Sequence, residues 1–90
     1  MKTIKIFASG NVQGVFFRKF VKESADKLNV RGFVRNLEDG RVEVVAEGRD
    51  ESVNHFLELC KHGSKQSEVK KIENIEIKHQ GFKEFKILSL

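Results

Sequence analysis

An α+β sandwich, with two helices on one face of a four- to five-stranded antiparallel or mixed sheet, is the fold that this chain predicts. Three observations carry it. Ninety residues, 39% of them hydrophobic, suffice for one small core and leave no room for a second, so residues 1–90 form a single domain. Apolar residues recur at strand and helix spacings in the order β-α-β-β-α-β. Asp39-Gly40, between the second and third strand patterns, is a hairpin signal.

Thr3 to Ser9 alternates, with Ile4, Ile6 and Ala8 on one face and Lys5 and Phe7 on the other. From Phe17 to Leu28 the period changes: Phe17, Phe20, Val21, Ala25 and Leu28 share a helical stripe. Asn29 tolerates left-handed geometry and suits the helix exit. Gly32 to Asn36 reads as a short strand, and Leu37-Glu38-Asp39-Gly40 as a turn in which Asp39 serves the local geometry. Arg41 to Glu47 alternates again through Val42, Val44 and Ala46. Asp50 is the expected N-cap of a second helix whose core stripe is Val53, Phe56, Leu57 and Cys60. After Gly63 comes a polar loop. Val69 and Ile72 then break strict alternation and Ile75 and Ile77 resume it, which predicts a bulge. Phe82, Phe85, Ile87 and Leu90 are the apolar positions of a last segment, a candidate extra strand. This element order is that of a ferredoxin-like sandwich.

Composition removes several functions. No apolar run approaches the roughly 20 residues that span a bilayer, and Met1–Ile6 has no signal-peptide core. Cys60 has no intramolecular disulfide partner, so a reducing cytoplasm is the expected compartment. It falls on a core stripe and is expected to be a buried, inert thiol. His55 and His62 lie about 10 Å apart along a helix, and they and His79 are expected on the surface, with no metal site. The formal charge of +4 suits an anionic partner without naming one. The charges of both signs are interspersed, as on a solvated surface.

The stretch most suggestive of chemistry is Gly10-Asn11-Val12-Gln13-Gly14-Val15-Phe16-Phe17-Arg18, which joins the first strand to the first helix. Its two glycines permit a tight turn and close approach to a ligand. The helix start that follows offers unpaired N–H groups and a dipole suited to an anion. Arg18 adds a planar fork that matches phosphate oxygens. Neither the Walker spacing nor a dinucleotide fingerprint is present. On glycine and arginine alone, a tight turn with a solvated Arg18 is the simpler reading, as a turn residue is for Asn36.

Two long motifs at the right separation alter that weighting. Gly10-x-Val12-Gln13-Gly14-Val15-x-Phe17-Arg18 and Gly32-Phe33-Val34-Arg35-Asn36-x-x-Asp39-Gly40-x-Val42-Glu43 resemble the two signatures of the acylphosphatase family. Ala25, Leu28, Gly48 and Phe85-Lys86-Ile87 match in spacing, so the resemblance spans nearly the whole chain. It implies an enzyme that hydrolyses acyl phosphates to a carboxylate and inorganic phosphate without metal or cofactor. It also implies that Arg18 binds the phosphoryl group and that the amides of Gln13, Gly14, Val15, Phe16 and Phe17 cradle its oxygens. Asn36 would orient the attacking water. Phe33 stands where the family often has Trp, and Gly63-Ser64 where it often has Gly-Pro, which leaves the local loop geometry open. Phe16, at a position the family varies, either flanks the acyl group or packs; packing is the expectation.

Two rival functions fit parts of this pattern. An RNA-recognition motif shares the element order, but needs stacking aromatics on its central strands. Arg41 to Glu47 has none, and Phe7 alone is a poor platform. The second rival is a regulatory domain resembling the N-terminal part of hydrogenase-maturation carbamoyltransferases. That domain normally precedes a much longer chain, so a chain ending at Leu90 favours a free-standing enzyme. The expectation is therefore a cytoplasmic monomer acting on a small acyl phosphate, with no nucleic-acid or membrane partner and no cofactor.

Overall fold

The structure is a computed structural model and describes residues 1–88; Leu90, the last candidate core position, lies outside them. The elements are β1 (Lys2–Asn11), α1 (Val15–Leu28), β2 (Arg31–Asn36), β3 (Val42–Gly48), α2 (Asp50–His62), β4 (Glu68–Glu76) and β5 (Phe85–Leu88). The strands form one sheet in the order β4-β1-β3-β2-β5. Every pairing is antiparallel except that of β5 with β2, so the sheet is mixed. The fold is the expected ferredoxin-like sandwich with a fifth strand added at the β2 edge.

The alternation of β1 and β3 does what period two requires. Ile4, Ile6 and Ala8 and their partners Val42, Val44 and Ala46 lie buried under both helices. Phe17, Val21 and Ala25 from α1 and Val53, Phe56 and Cys60 from α2 complete this core. Asn29 takes the left-handed conformation, φ 56°, and ends α1 as expected. Burial pushes the Cys60 thiol well up, so it stays protonated.

Several details depart from the sequence-based expectation. α1 begins at Val15 rather than Phe17, because the chain enters helical geometry as soon as Gly14 has turned. The N-cap of α2 is Arg49; Asp50 is the first helical residue, makes no cap hydrogen bond, and lies 3.5 Å from the N-terminal ammonium. It still places negative charge in the first turn, where the helix dipole favours it. The bulge falls where the apolar spacing put it: Ser9 pairs with Lys71 and Gly10 with Val69, leaving Lys70 as the extra residue. Ile75 does not rejoin the core, because its partner Lys5 faces the other side of the sheet; Ile75 is exposed. Ile87 is exposed too, on the short edge strand.

The face away from the helices holds the largest surprise. Not all the charges are solvated. Glu43 is buried between Arg35, at 2.6 Å, and Lys5, at 3.8 Å. Glu47 is 1% exposed, and its carboxylate accepts hydrogen bonds from the Thr3 hydroxyl (2.6 Å) and the backbone N–H groups of Gln80 (2.6 Å), Gly81 (2.9 Å) and Phe82 (3.0 Å). His79 lies on the surface as expected, with its Nδ1 3.2 Å from Glu47. Burial raises the Glu47 pKa, but these donors outweigh it and leave the group below its ordinary value.

Glu47 thus straps the segment before β5 across the open face. A Glu47→Gln substitution is expected to cost about 2–3 kcal/mol at neutral pH, since charge-assisted bonds are lost from a buried site. The depressed folded-state pKa fixes the sign of the pH dependence. The parent's advantage should be full above the unfolded value near 4.5 and vanish as pH falls through the lower folded value. Denaturant unfolding of parent and variant across the acid range checks it; a pH-independent difference would refute the ionised strap.

Candidate functional site

Val12 and Phe17 are buried, whereas Gln13, Gly14, Val15 and Phe16 between them are exposed. Two core anchors therefore hold an exposed turn at the junction of β1 and α1. Each buried apolar side chain of this kind contributes about 1.5–3 kcal/mol, enough to fix where the helix starts. Two glycines are dictated by the backbone. A Cβ on Gly10 would stand 2.4 Å from the Glu68 carbonyl across the bulge. Gly14 has φ 100°, which an L side chain rarely adopts, and open space lies where its Cβ would be.

The start of α1 is left bare. Gly14 supplies no side-chain cap, and no acidic residue occupies the first turn. The N–H groups of Val15, Phe16 and Phe17 precede the first intrahelical bonds and are available to an anion. Arg18, half-buried, folds back over this turn: its Nε donates to the Gly14 carbonyl at 3.0 Å. One of its donors is thereby held at Gly14, and the others are free to meet a ligand. Among the described residues it makes no salt bridge. An anion at this point meets oriented N–H dipoles and a permanent positive charge.

Asn36 comes to the same end of the sheet through strand register. Ala8, Val42 and Asn36 form one row across β1, β3 and β2 on the helix-covered face. Adjacent strands lie about 4.8 Å apart, so the backbone of Asn36 is roughly 10 Å from that of Ala8, three residues before the end of β1. Its side-chain Oδ1 is buried with no hydrogen-bond partner. Nothing among the described residues fixes this amide, and half a turn about χ2 exchanges its oxygen and nitrogen. A buried carbonyl costs about 1–3 kcal/mol unless a water or ligand meets it.

No local pattern announces what ties these parts together. The family resemblance assigns Gln13 only its backbone amide. Its side-chain Nε2 also donates to the carbonyls of Leu37 (2.7 Å) and Arg41 (3.1 Å). Those residues close the β2–β3 turn, where the Leu37 N–H donates to the Arg41 carbonyl at 2.8 Å. One glutamine thus clamps the bare turn to the hairpin whose strand ends in Asn36. Asp39 serves that hairpin as expected, accepting the Arg41 N–H at 3.0 Å; Arg41 in turn covers the Phe7 ring at 4.7 Å. Phe16 departs from expectation: it is 53% exposed rather than packed. No cluster of three or more His, Cys, Asp or Glu suited to a metal occurs among the described residues. No helix there is long and apolar enough to cross a membrane.

Comparison with known proteins adds four observations. A family model described as Acylphosphatase matches residues 4–87. A relative named acylphosphatase from Syntrophus aciditrophicus is 40% identical over 89 residues, covering 98% of this chain and 93% of that protein. The crystal structure of acylphosphatase from Bacillus subtilis superposes with a TM-score of 0.94 at 42% identity, covering 98% of this chain and 99% of that one. The crystal structure of T. kodakarensis HypF is also similar, with a TM-score of 0.86 and 41% identity, but all of this chain corresponds to only 12% of it.

Proposed function

The chain belongs to the acylphosphatase family, and on that premise we propose that it hydrolyses acyl phosphates by in-line attack of water on a phosphoryl group held at the start of α1. The observation that carries this reading is the uncapped first turn of α1 with Arg18 folded onto it. The amides of Gln13 to Phe17 and the Arg18 fork take the phosphoryl oxygens. Asn36 holds the water, and Gln13 keeps the two halves of the site in register.

The chemistry asks little more of the protein. Phosphoryl transfer is catalysed mainly by positioning and by stabilising charge on the equatorial oxygens. The leaving group is a carboxylate whose conjugate acid has a pKa of about 4, so it departs without a general acid. Asn36 is no base, but its amide can accept from and donate to a water. The water's proton passes to a phosphate oxygen of the substrate, and no metal or cofactor takes part. The protein acts as a monomer in the cytoplasm.

The open face of the sheet supports this over RNA binding. Phe7 already stacks under Arg41, Phe33 packs edge-on against Phe82 at 6.0 Å, and ion pairs cross the ground between them. Steady-state hydrolysis of benzoyl phosphate in excess EDTA tests the proposal. Release of benzoate and phosphate at an undiminished rate is expected; strict dependence on added metal would refute the mechanism.

A further inference from the structure

We propose that Arg41 is a positioning residue for the hydrolysis: by stacking on Phe7 and binding Asp39, it sets where the β2–β3 turn holds Asn36, and so raises kcat without touching the substrate. This rests on the hydrolase reading above, in which Asn36 holds the attacking water. Asn36 needs such a device. It is the last residue of β2, and its side-chain oxygen has no partner among the described residues. The place of its amide therefore follows the backbone that leaves the strand, which is the turn from Leu37 to Arg41.

The bonds of that turn converge on Arg41. Its carbonyl accepts from the Leu37 N–H at 2.8 Å and from Gln13 Nε2 at 3.1 Å. Its N–H donates to the Asp39 carboxylate at 3.0 Å, and its Nε donates to the other oxygen of that carboxylate at 2.8 Å. Asp39 thus fixes both the backbone and the side chain of Arg41. So aimed, the guanidinium carbon lies 4.7 Å from the centroid of the Phe7 ring, within reach of a cation–π contact. Phe7 is a firm platform, because β1 is paired on both sides there, with Glu43 of β3 and Glu73 of β4. It also belongs to the strand that leads into the phosphate turn. Gln13 alone would leave the hairpin free to pivot about one side chain; the stack on Phe7 is a second tie to the same strand and removes that freedom. The action is indirect. Arg41 lies with Phe7 on the open face, whereas Asn36 shares the helix-covered row of Ala8 and Val42. The Arg41 and Asp39 side chains are 40% and 54% exposed, so removing the pair strands no buried charge and the fold should stand.

The test measures kcat for benzoyl phosphate and the competitive inhibition constant of inorganic phosphate in the parent, Arg41→Ala, Arg41→Lys and Phe7→Leu. It then repeats Arg41→Ala in an Asn36→Ala background. In Arg41→Ala kcat should fall about tenfold, part of the hundredfold that a displacement of about 1 Å can cost. The phosphate constant should change less than about twofold, because Arg18 and the α1 amides are untouched. Phe7→Leu keeps apolar bulk but offers the guanidinium no ring, and should lose as much kcat. Arg41→Lys keeps a cation over the ring and should recover part of the loss. In the Asn36→Ala background Arg41→Ala should cost nothing further, since the group it places is gone. Equal losses in both backgrounds, a phosphate constant that weakens in step with kcat, or parental kcat in Arg41→Ala overturns the positioning role while leaving the hydrolase reading intact. Failure of the parent to hydrolyse benzoyl phosphate overturns the hydrolase reading itself, and the positioning role with it.

Discussion

Arg18→Ala is expected to lower kcat/KM for benzoyl phosphate by about 10³-fold or more, the scale on which a charge-stabilising group at a transferring phosphoryl acts. The fold should survive. Arg18 contributes one exposed hydrogen bond to the Gly14 carbonyl, worth about 1 kcal/mol at most. Its loss would move the melting temperature by no more than about 4–8 °C in a domain of this size. Arg18→Lys restores the charge without the fork and should recover only part of the rate, because an ammonium cannot bind two phosphate oxygens in one plane. Retention of more than a tenth of parental activity in Arg18→Ala would remove Arg18 from the site.

Asn36→Ala is expected to lose about 10²-fold in kcat, in the range seen when one positioned hydrogen-bonding group is removed. Here the stability readout decides the interpretation. The Asn36 carbonyl oxygen is buried and unpartnered, so its removal takes away a penalty and not a bond. The melting temperature should hold or rise while activity falls, the pattern of a group retained for function at the expense of stability. A variant that loses activity and stability together would mark Asn36 as a structural residue of the hairpin.

Much of the fold was legible because local chemistry and tertiary context agree. Ile4, Ile6 and Ala8 alternate because one face of β1 meets the helices. Asn29 ends α1 through its own backbone tolerance. The three-residue step from Val69 to Ile72 marked the bulge because an extra residue is the way both reach the same face. The edges were less legible. Ile75 and Ile87 look like core residues in sequence, yet an edge strand has too few neighbours to bury them. Asp50 has the right chemistry for a cap, but the chain turns into the helix one residue earlier.

The site divides along the same line. The bare turn and Arg18 are contiguous, so spacing could suggest them. Asn36 and Gln13 act across the sheet, as Glu47 does outside the site. Gln13 reaches carbonyls 24 and 28 residues away, and Glu47 binds donors at Thr3 and at Gln80 to Phe82. A glutamine in a loop and a glutamate in an alternating strand carry no local signal for such contacts.

The sequence by itself determined the element order, the helix-facing core and a glycine-bearing turn at the start of α1, because each depends on residues within a few positions of one another. Only the tertiary structure decided that Asn36 stands at the same end of the sheet, that Gln13 clamps the turn to its hairpin, and that Phe16 is left exposed. Those outcomes depend on strand order and register, which bring distant residues into hydrogen-bonding range.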